Sequence, residues 1–162
     1  MALQALDHNL FGIDIAQRKA TLYADSNAFT TTTTTKVGTG IAKLLALPID
    51  VISNRYANGY FYLSSICITQ PNLFEAVLLA THTKRDEWTV EISSVGALLA
   101  ESQRASDFLS VVAATTYRVG NYSAKAAQSS ELLGLEQESV ETVIGAAVDA
   151  MNAGAKTNLW LK

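Results

Sequence analysis

The feature that most constrains this chain is a change in hydrophobic pattern near Ser94. Before it, short runs of β-branched and aromatic residues are separated by polar, turn-forming segments, as is typical of strands. After it, apolar residues recur with the period of an amphipathic helix. Strands followed by helices indicate an α+β fold. We therefore predict one domain over residues 1–162, with a predominantly antiparallel sheet in residues 10–93 and two or three helices in residues 95–153 packed on one face.

Two hairpins are predicted within the sheet. Residues 10–15 and 20–24 are β-type runs on either side of a polar segment. Residues 49–56 and 60–69 flank Asn58-Gly59, a dipeptide preferred in type I′ turns because both central residues adopt positive φ. This second hairpin is the clearest local β signal in the chain.

Six consecutive threonines occupy positions 30–35. Threonine is β-branched and suits a half-exposed pleated surface, so we predict an edge strand within the Thr/Gly-rich segment 25–40, with a polar loop as the alternative. Identical residues provide no two-sided pattern to fix the register, so such a strand could pair with a second copy of the chain. The first candidate interface therefore comprises Thr30, Thr31, Thr32, Thr33, Thr34 and Thr35.

Three further segments complete the first half. Residues 41–47 predict a short helix that ends at Pro48. Residues 72–83 are ambiguous, because their first residues resemble a capping box whereas the alternating apolar residues that follow favour a strand. We predict a strand there. Residues 88–93 alternate apolar and polar side chains and predict another half-buried strand.

Three helices are predicted in the second half. The first covers residues 95–117 and stops before Gly120, and the second covers residues 124–133 and ends at Gly134. The third begins after Ser139, a typical N-cap residue. Its predicted buried stripe is Val143, Ile144, Ala147 and Val148.

Residues 155–162 are interpreted as a tail beyond the third helix. It contains three consecutive large apolar residues, which an isolated domain has little reason to expose. Docking into an apolar groove of a neighbouring copy would bury them, and folding back onto the same chain is the alternative. The second candidate interface is Leu159, Trp160 and Leu161.

The chain carries few side chains that could perform chemistry. Charged residues make up 17% of it, and it has two histidines and one cysteine. No Cys-x-x-Cys, His-x-x-x-His or acidic calcium-loop spacing occurs, so we predict neither a metal nor a cofactor. Cys67 lies between two isoleucines and predicts a buried thiol, with a nucleophilic pair of Cys67 and His82 as the alternative.

Two other segments have a structural interpretation. Residues 36–40 contain two glycines but lack the spacing of a phosphate-binding loop, so they predict a flexible linker. A group of aromatic residues could stack on bases or a sugar, but only one cation, Arg55, lies near it in the sequence. A strand partly in the core and partly at an interface is favoured for this group, which comprises Tyr56, Tyr60, Phe61 and Tyr62.

The segment Phe11-Gly12-Ile13-Asp14-Ile15-Ala16 resembles the opening hairpin of ribonuclease H-like nucleases and transposases. The resemblance implies that the Asp14 carboxylate would bind Mg²⁺ and that two metal ions would clamp the attacking and leaving oxygens. Such enzymes need further acidic residues, for which Asp50, Asp107 and Asp149 can be nominated, although no motif surrounds them. The alternative is that Asp14 is a carboxylate of the strand face or the turn.

The low charge density, the small residues, the threonine run and the apolar tail together favour a non-catalytic, self-associating structural subunit of a virion or another assembly. The first alternative is a small acidic adaptor or chaperone-like module that binds another protein. The second alternative is a magnesium-dependent nuclease. The expected partner is the chain itself.

Nucleic acid and membrane are not expected as partners. The net charge is −3 and no basic cluster is present, which disfavours strong nucleic-acid binding. No apolar run is long enough to span a bilayer. The first ten residues do not resemble a secretory signal, so a cytoplasmic or virion location is expected.

Overall fold

The computed structural model describes residues 11–55 and 60–153. Its strands are β1 (Ile13–Asp14), β2 (Lys19–Tyr23), β3 (Phe29–Thr31), β4 (Ile66–Ile68) and β5 (Thr89–Ser93). Its α-helices are α1 (Thr34–Leu45), α2 (Ile49–Arg55), α3 (Gln70–Thr81), α4 (Val95–Ala105), α5 (Phe108–Val119), α6 (Ser123–Leu133) and α7 (Val140–Asn152). A 3₁₀ turn at Arg85–Glu87 leads into β5. The predicted α+β class is confirmed.

The described strands form two small sheets. The first has the order β1-β2-β5, in which β2 pairs antiparallel with β1 and parallel with β5. The second pairs β3 with β4 antiparallel, with Thr30 opposite Cys67. The predicted hairpin over residues 10–24 is confirmed by β1 and β2, and the predicted strand at residues 88–93 is confirmed by β5. Because helices carry the chain from β2 to β5, these two strands can run parallel.

The first hairpin depends on Gly12. This residue has a φ of +70°, and a Cβ atom placed on it would lie 2.8 Å from the carbonyl oxygen of Thr21. Its own carbonyl accepts a hydrogen bond of 2.8 Å from the amide of Thr21. Only glycine combines this backbone conformation with so close an approach.

The threonine run is divided between a strand and a helix, so the predicted edge strand is wrong beyond Thr31. The Thr33 hydroxyl accepts a hydrogen bond of 3.1 Å from the amide of Lys36 and caps α1. Threonine is a preferred N-cap residue, and here the cap outweighs its strand propensity. The helix then continues through residues 36–40, which were predicted as a linker, into the predicted helix at 41–47.

The predicted hairpin over residues 49–69 is wrong. Ile49–Arg55 is a helix, and the carbonyl of Pro48 accepts hydrogen bonds of 3.1 and 3.3 Å from two amides of its first turn. A proline just before a helix is pre-organised for it, which here outweighs the β propensity of the isoleucines. Ile66–Ile68 is a strand, but its partner is β3. Asn58-Gly59 lies outside the described residues.

Residues 72–81 of the predicted strand 72–83 belong to a helix instead. Thr69 caps α3 by accepting a hydrogen bond of 3.4 Å from the amide of Asn72, Pro71 lies in the first turn, and His82 ends the helix with a φ of 53°. The helix packs against both β2 and α7. A helix that is buried on two sides carries apolar residues on both, which removes the clear helical period.

The predicted helix over residues 95–117 is two helices, so four helices rather than two or three follow residue 94. Ser106 ends α4 with a φ of 54°. The Asp107 carboxylate then accepts hydrogen bonds from two amides of the first turn of α5. Hydrogen bonds from the hydroxyl and amide of Ser110 hold the pKa of Asp107 below its usual value. The helices predicted at residues 124–133 and after Ser139 are confirmed as α6 and α7.

The core lies between the two sheets and the helices α3, α5 and α7. The predicted stripe of α7 is confirmed, since Val143, Ile144, Ala147 and Val148 are all buried. Four aromatic rings from β2, β3, α5 and the segment before β1 form a cluster in which neighbouring ring centroids are 5.0 to 6.5 Å apart. Its members are Phe11, Tyr23, Phe29 and Tyr117.

Candidate functional site

Helix α1 packs on the domain through an unusual set of residues. Lys36 is buried and its ammonium donates a hydrogen bond of 2.6 Å to the carbonyl of Glu136. Gly40 is buried against Leu63, whose Cδ1 lies 2.7 Å from the position that a Cβ on residue 40 would take. One turn further on, the Lys43 ammonium bonds the carbonyl of Gly134. The side of α1 that faces the protein therefore carries two lysines and a glycine, together with the half-buried Leu44.

The apolar side of α1 faces outward. At about 100° per residue, the outward side chains lie roughly 130° round the helix from those that face the domain. Their exposed fractions are 38% for Val37, 52% for Ile41 and 80% for Leu45, and Ile49 at the start of α2 is 79% exposed. We call these four residues the α1 stripe. A soluble domain normally turns such a stripe inward, so this surface is the candidate functional site.

Most of the predicted threonine interface is engaged within the chain. The Thr30 hydroxyl donates to the carbonyl of Gly120 at 2.9 Å, the Thr32 hydroxyl donates to that of Leu63 at 2.6 Å, and the Thr33 hydroxyl lies 3.1 Å from a Glu138 carboxylate oxygen. Thr31 is buried in the β3–β4 pair, whereas Thr34 and Thr35 are exposed at the start of α1. The expectation of an unpaired strand edge is therefore wrong for Thr30, Thr31, Thr32 and Thr33.

The second predicted interface, Leu159, Trp160 and Leu161, lies outside the described residues. A groove close to α7 is relevant to this predicted interface, because it is a candidate docking site for apolar side chains. This groove, of about 400 Å³, lies between α3, β4 and the start of α7. Its apolar wall includes Ala76, Leu79 and Val140, and two carboxylates, those of Glu75 and Glu141, also line it.

Asp14 lies in a polar depression of about 400 Å³ on the open face of the first sheet, together with Lys19 and Glu91. One of its carboxylate oxygens accepts a hydrogen bond of 2.8 Å from the amide of Gln17 in the hairpin turn. Asp50, Asp107 and Asp149, nominated as further ligands, lie on α2, at the start of α5 and on α7. In residues 11–55 and 60–153, no three His, Cys, Asp or Glu side chains are grouped as metal ligands would be.

Cys67 and His82 lie at opposite ends of α3. A helix of this length separates them by roughly 18 Å, too far for a nucleophile and its base. The thiol is exposed rather than buried, because Cys67 points out of the short strand β4, and it lies 3.6 Å from the side-chain oxygen of Asn121. It also lines the groove beside α3.

Two members of the predicted aromatic group, Tyr60 and Tyr62, have different surroundings. Tyr60 is 69% exposed, and Tyr62 stacks on Tyr122 with ring centroids 5.5 Å apart. The ammonium of Lys125 lies 4.9 Å from the centre of the Tyr62 ring. Tyr56 lies outside the described residues.

Sequence reasoning missed the α1 stripe, although its signal is present. Val37, Ile41 and Leu45 are four residues apart, the spacing of one helix face, but the threonines and glycines among them led to the prediction of a strand and a linker.

None of the helices in the described part of the chain has the length and apolar character needed to span a bilayer. Comparison with protein families, with characterised proteins and with solved structures finds no significant match to this chain.

Proposed function

We propose that the protein is a non-catalytic structural subunit that associates with copies of itself through the α1 stripe. The observation that carries this proposal is the orientation of α1, in which Lys36 and Gly40 are buried against the domain while Val37, Ile41 and Leu45 face outward. The four residues are 38% to 80% exposed, and association with a second molecule would bury them.

The spacing of the stripe suits contact between identical helices. Val37, Ile41 and Leu45 lie at intervals of four on α1, and such residues form one of the ridges through which two helices interlock, most often at an angle of about −50°. A two-fold axis through the middle of α1 would bring Ile41 of one copy close to the same residue of the other, and would place the two ends in equivalent surroundings. The stripe is thus compatible with a symmetric contact.

The size of the stripe sets the expected strength of the contact. Fully burying a large aliphatic side chain contributes about 1.5 to 3 kcal/mol, and the four residues are 38%, 52%, 80% and 79% exposed, so the two copies together would gain about 8 to 15 kcal/mol. Association costs about 4 to 15 kcal/mol in lost freedom of motion. The stripe alone therefore supports a contact that depends on protein concentration, and stable shells or filaments would require further contacts.

The test is a measurement of mass by light scattering and sedimentation, from micromolar to millimolar concentration, on the wild-type protein and two variants. Leu45→Glu places a charge in the stripe and should reduce the association constant at least tenfold. Thr39→Glu places the same charge on the same helix, at an exposed position on the far side from the stripe, and should leave association unchanged.

Two outcomes would overturn the proposal. A wild-type protein that stays monomeric at every concentration would favour the adaptor alternative, in which the stripe binds a different protein. Equal association of the wild type and Leu45→Glu would place the contact elsewhere. The nuclease alternative has less support, because Asp14 shares its depression with one other carboxylate, that of Glu91.

A further inference from the structure

We infer that the groove between α3, β4 and α7 is a docking site for residues 154–162 of a second copy of this chain. This contact would be separate from the α1 stripe, and together the two would link each copy to more than one neighbour.

The groove has the character of a peptide-binding site. Its volume of about 400 Å³ lies within the range of pockets that enclose small ligands. Its wall is largely apolar, and Leu79, a large side chain on that wall, is 71% exposed. Asn72 and Thr69 add polar groups beside it. An apolar wall with a few polar groups favours an apolar side chain flanked by polar backbone.

The charge of the groove is negative. Glu75 lies beside it and forms a surface ion pair of 3.1 Å with Arg85, which neutralises part of its charge. Glu141 forms no ion pair with any described residue. Its carboxylate would therefore attract a cation at the end of the groove nearest the start of α7.

Residues 154–162 complement this groove. Their sequence, Gly-Ala-Lys-Thr-Asn-Leu-Trp-Leu-Lys, places Leu159-Trp160-Leu161 between Lys156 and Lys162. The apolar centre matches the wall, and the lysines on either side match Glu75 and Glu141. Trp160 alone would remove about 150 to 250 Å² from water.

Reach favours a second copy as the source of the segment. The groove lies beside Val140 at the start of α7, and the 13-residue helix carries the chain roughly 20 Å away from it. Trp160 is seven residues beyond Ala153, which span at most about 25 Å when fully extended. To dock in the groove of its own chain, the segment would have to run back along α7 in an almost fully extended conformation. A second copy faces no such limit.

The native cysteine allows a direct test. Cys67 is exposed, lines the groove and is the one cysteine of the chain. A thiol introduced by Leu159→Cys would form a disulfide with Cys67 under mild oxidation only if the two Cβ atoms approach to about 4 Å. The expected product is a disulfide-linked dimer, in which peptide mapping finds Cys67 joined to the introduced thiol. Thr115→Cys, at an exposed position on α5, is the matched control and should link much more slowly.

Three results would overturn the inference. A disulfide within one chain would show that the segment docks on its own molecule. Linkage no faster than in Thr115→Cys would show that the segment does not use the groove. A dimer that persists when Cys67→Ser is added would show that two introduced thiols have joined to each other.

Charge reversal provides a second test. Glu141→Lys should slow the formation of the disulfide by about three- to tenfold, the effect expected of a surface charge pair that is lost and replaced by repulsion. Glu131→Lys, at an exposed position on α6, should leave the rate unchanged. The same linkage measured with Leu45→Glu separates the two contacts, because it should persist when the α1 stripe is disrupted.

Discussion

Gln70 is the buried polar residue that connects the first sheet to α3. Its side-chain oxygen accepts a hydrogen bond of 3.0 Å from the amide of Tyr23. Its side-chain nitrogen donates to the carbonyls of Phe11 and Thr21 at 3.0 and 2.6 Å. The Gln70 amide thus pairs with backbone groups just before β1 begins and in the last residues of β2. A buried amide with three such partners is costly to replace.

We expect Gln70→Leu to lower the free energy of unfolding by at least about 3 kcal/mol. Leucine fills a similar volume but leaves one backbone amide and two carbonyls buried without partners, and each unpaired group costs about 1 to 3 kcal/mol. Gln103→Leu, at an exposed position on α4, is the control and should change stability by less than about 0.5 kcal/mol. Denaturant unfolding measures both, and a Gln70→Leu variant as stable as the control would show that these bonds contribute little.

Helix α7 shows an element whose sequence signals agree with one another. The Ser139 hydroxyl accepts a hydrogen bond of 3.1 Å from the amide of Thr142, as an N-cap residue should. Glu141 in the first turn favours the positive end of the helix dipole. Its apolar stripe packs on α3. The N-cap residue, the acidic residue of the first turn and the spacing of the apolar residues all indicate the same helix.

Ile144 is the most deeply buried residue of this stripe, with 1% of its surface exposed. We expect Ile144→Ala to lower the free energy of unfolding by about 2 to 5 kcal/mol, because the lost contacts and the resulting cavity both destabilise the core. Asp149→Ala, at an exposed position on the same helix, is the matched control and should change stability by less than about 0.5 kcal/mol. Thermal or denaturant unfolding of the pair decides whether α7 belongs to the core.

The elements that sequence could predict are those whose signals are local. The first hairpin, β5, α6 and α7 have period, turn residues and caps that agree. The β-branched residues of α1 and α2 favour strands, and only the cap at Thr33 and the proline at position 48 oppose that preference. The period of α3 was obscured because both its sides are buried. The break at Asp107 was missed because the apolar period continues across it.

The candidate site could not have been predicted from local pattern alone. The spacing of Val37, Ile41 and Leu45 indicates an apolar helix face, but it does not say whether that face meets the core. The orientation depends on contacts made by residues far away in the sequence, such as Leu63 against Gly40 and the carbonyl of Glu136 on Lys36. Tertiary contacts of this kind set the direction of a helix face.

At the scale of the whole molecule, the aromatic cluster joins parts of the chain that the sheets leave separate. Tyr23 belongs to the first sheet, Phe29 to the second and Tyr117 to α5, and the centroid of the Tyr117 ring lies 5.3 and 5.4 Å from those of the other two. Tyr117 is fully buried, and its hydroxyl has no hydrogen-bond partner among the described residues. Ring packing therefore stabilises the junction, whereas the unpaired Tyr117 hydroxyl destabilises it.

This junction should make the protein sensitive to alkaline pH. Burial, with a smaller contribution from Tyr23, raises the pKa of Tyr117 far above its usual value of 10.0. Burial, with a smaller contribution from Glu101, also raises the pKa of Tyr23. Above about pH 10 the unfolded chain loses protons that the folded chain retains, so the free energy of unfolding falls as pH rises. Tyr117 contributes a slope that approaches about 1.4 kcal/mol per pH unit above pH 10, and Tyr23 adds to the decline in the same direction.

Tyr117→Phe tests this account, because it preserves the ring packing and removes the hydroxyl. At pH 7 we expect the free energy of unfolding to rise by about 1 kcal/mol, since a buried hydroxyl without a partner costs that much or more. Well above pH 10 the decline in stability should become shallower by up to about 1.4 kcal/mol per pH unit, because the phenol whose proton the folded state retains is then absent from position 117. Urea unfolding at pH 7 and at two alkaline values measures both effects. A variant less stable than the wild type at pH 7, with the same alkaline decline, would mean that the hydroxyl has a partner and that the junction is held by more than its rings.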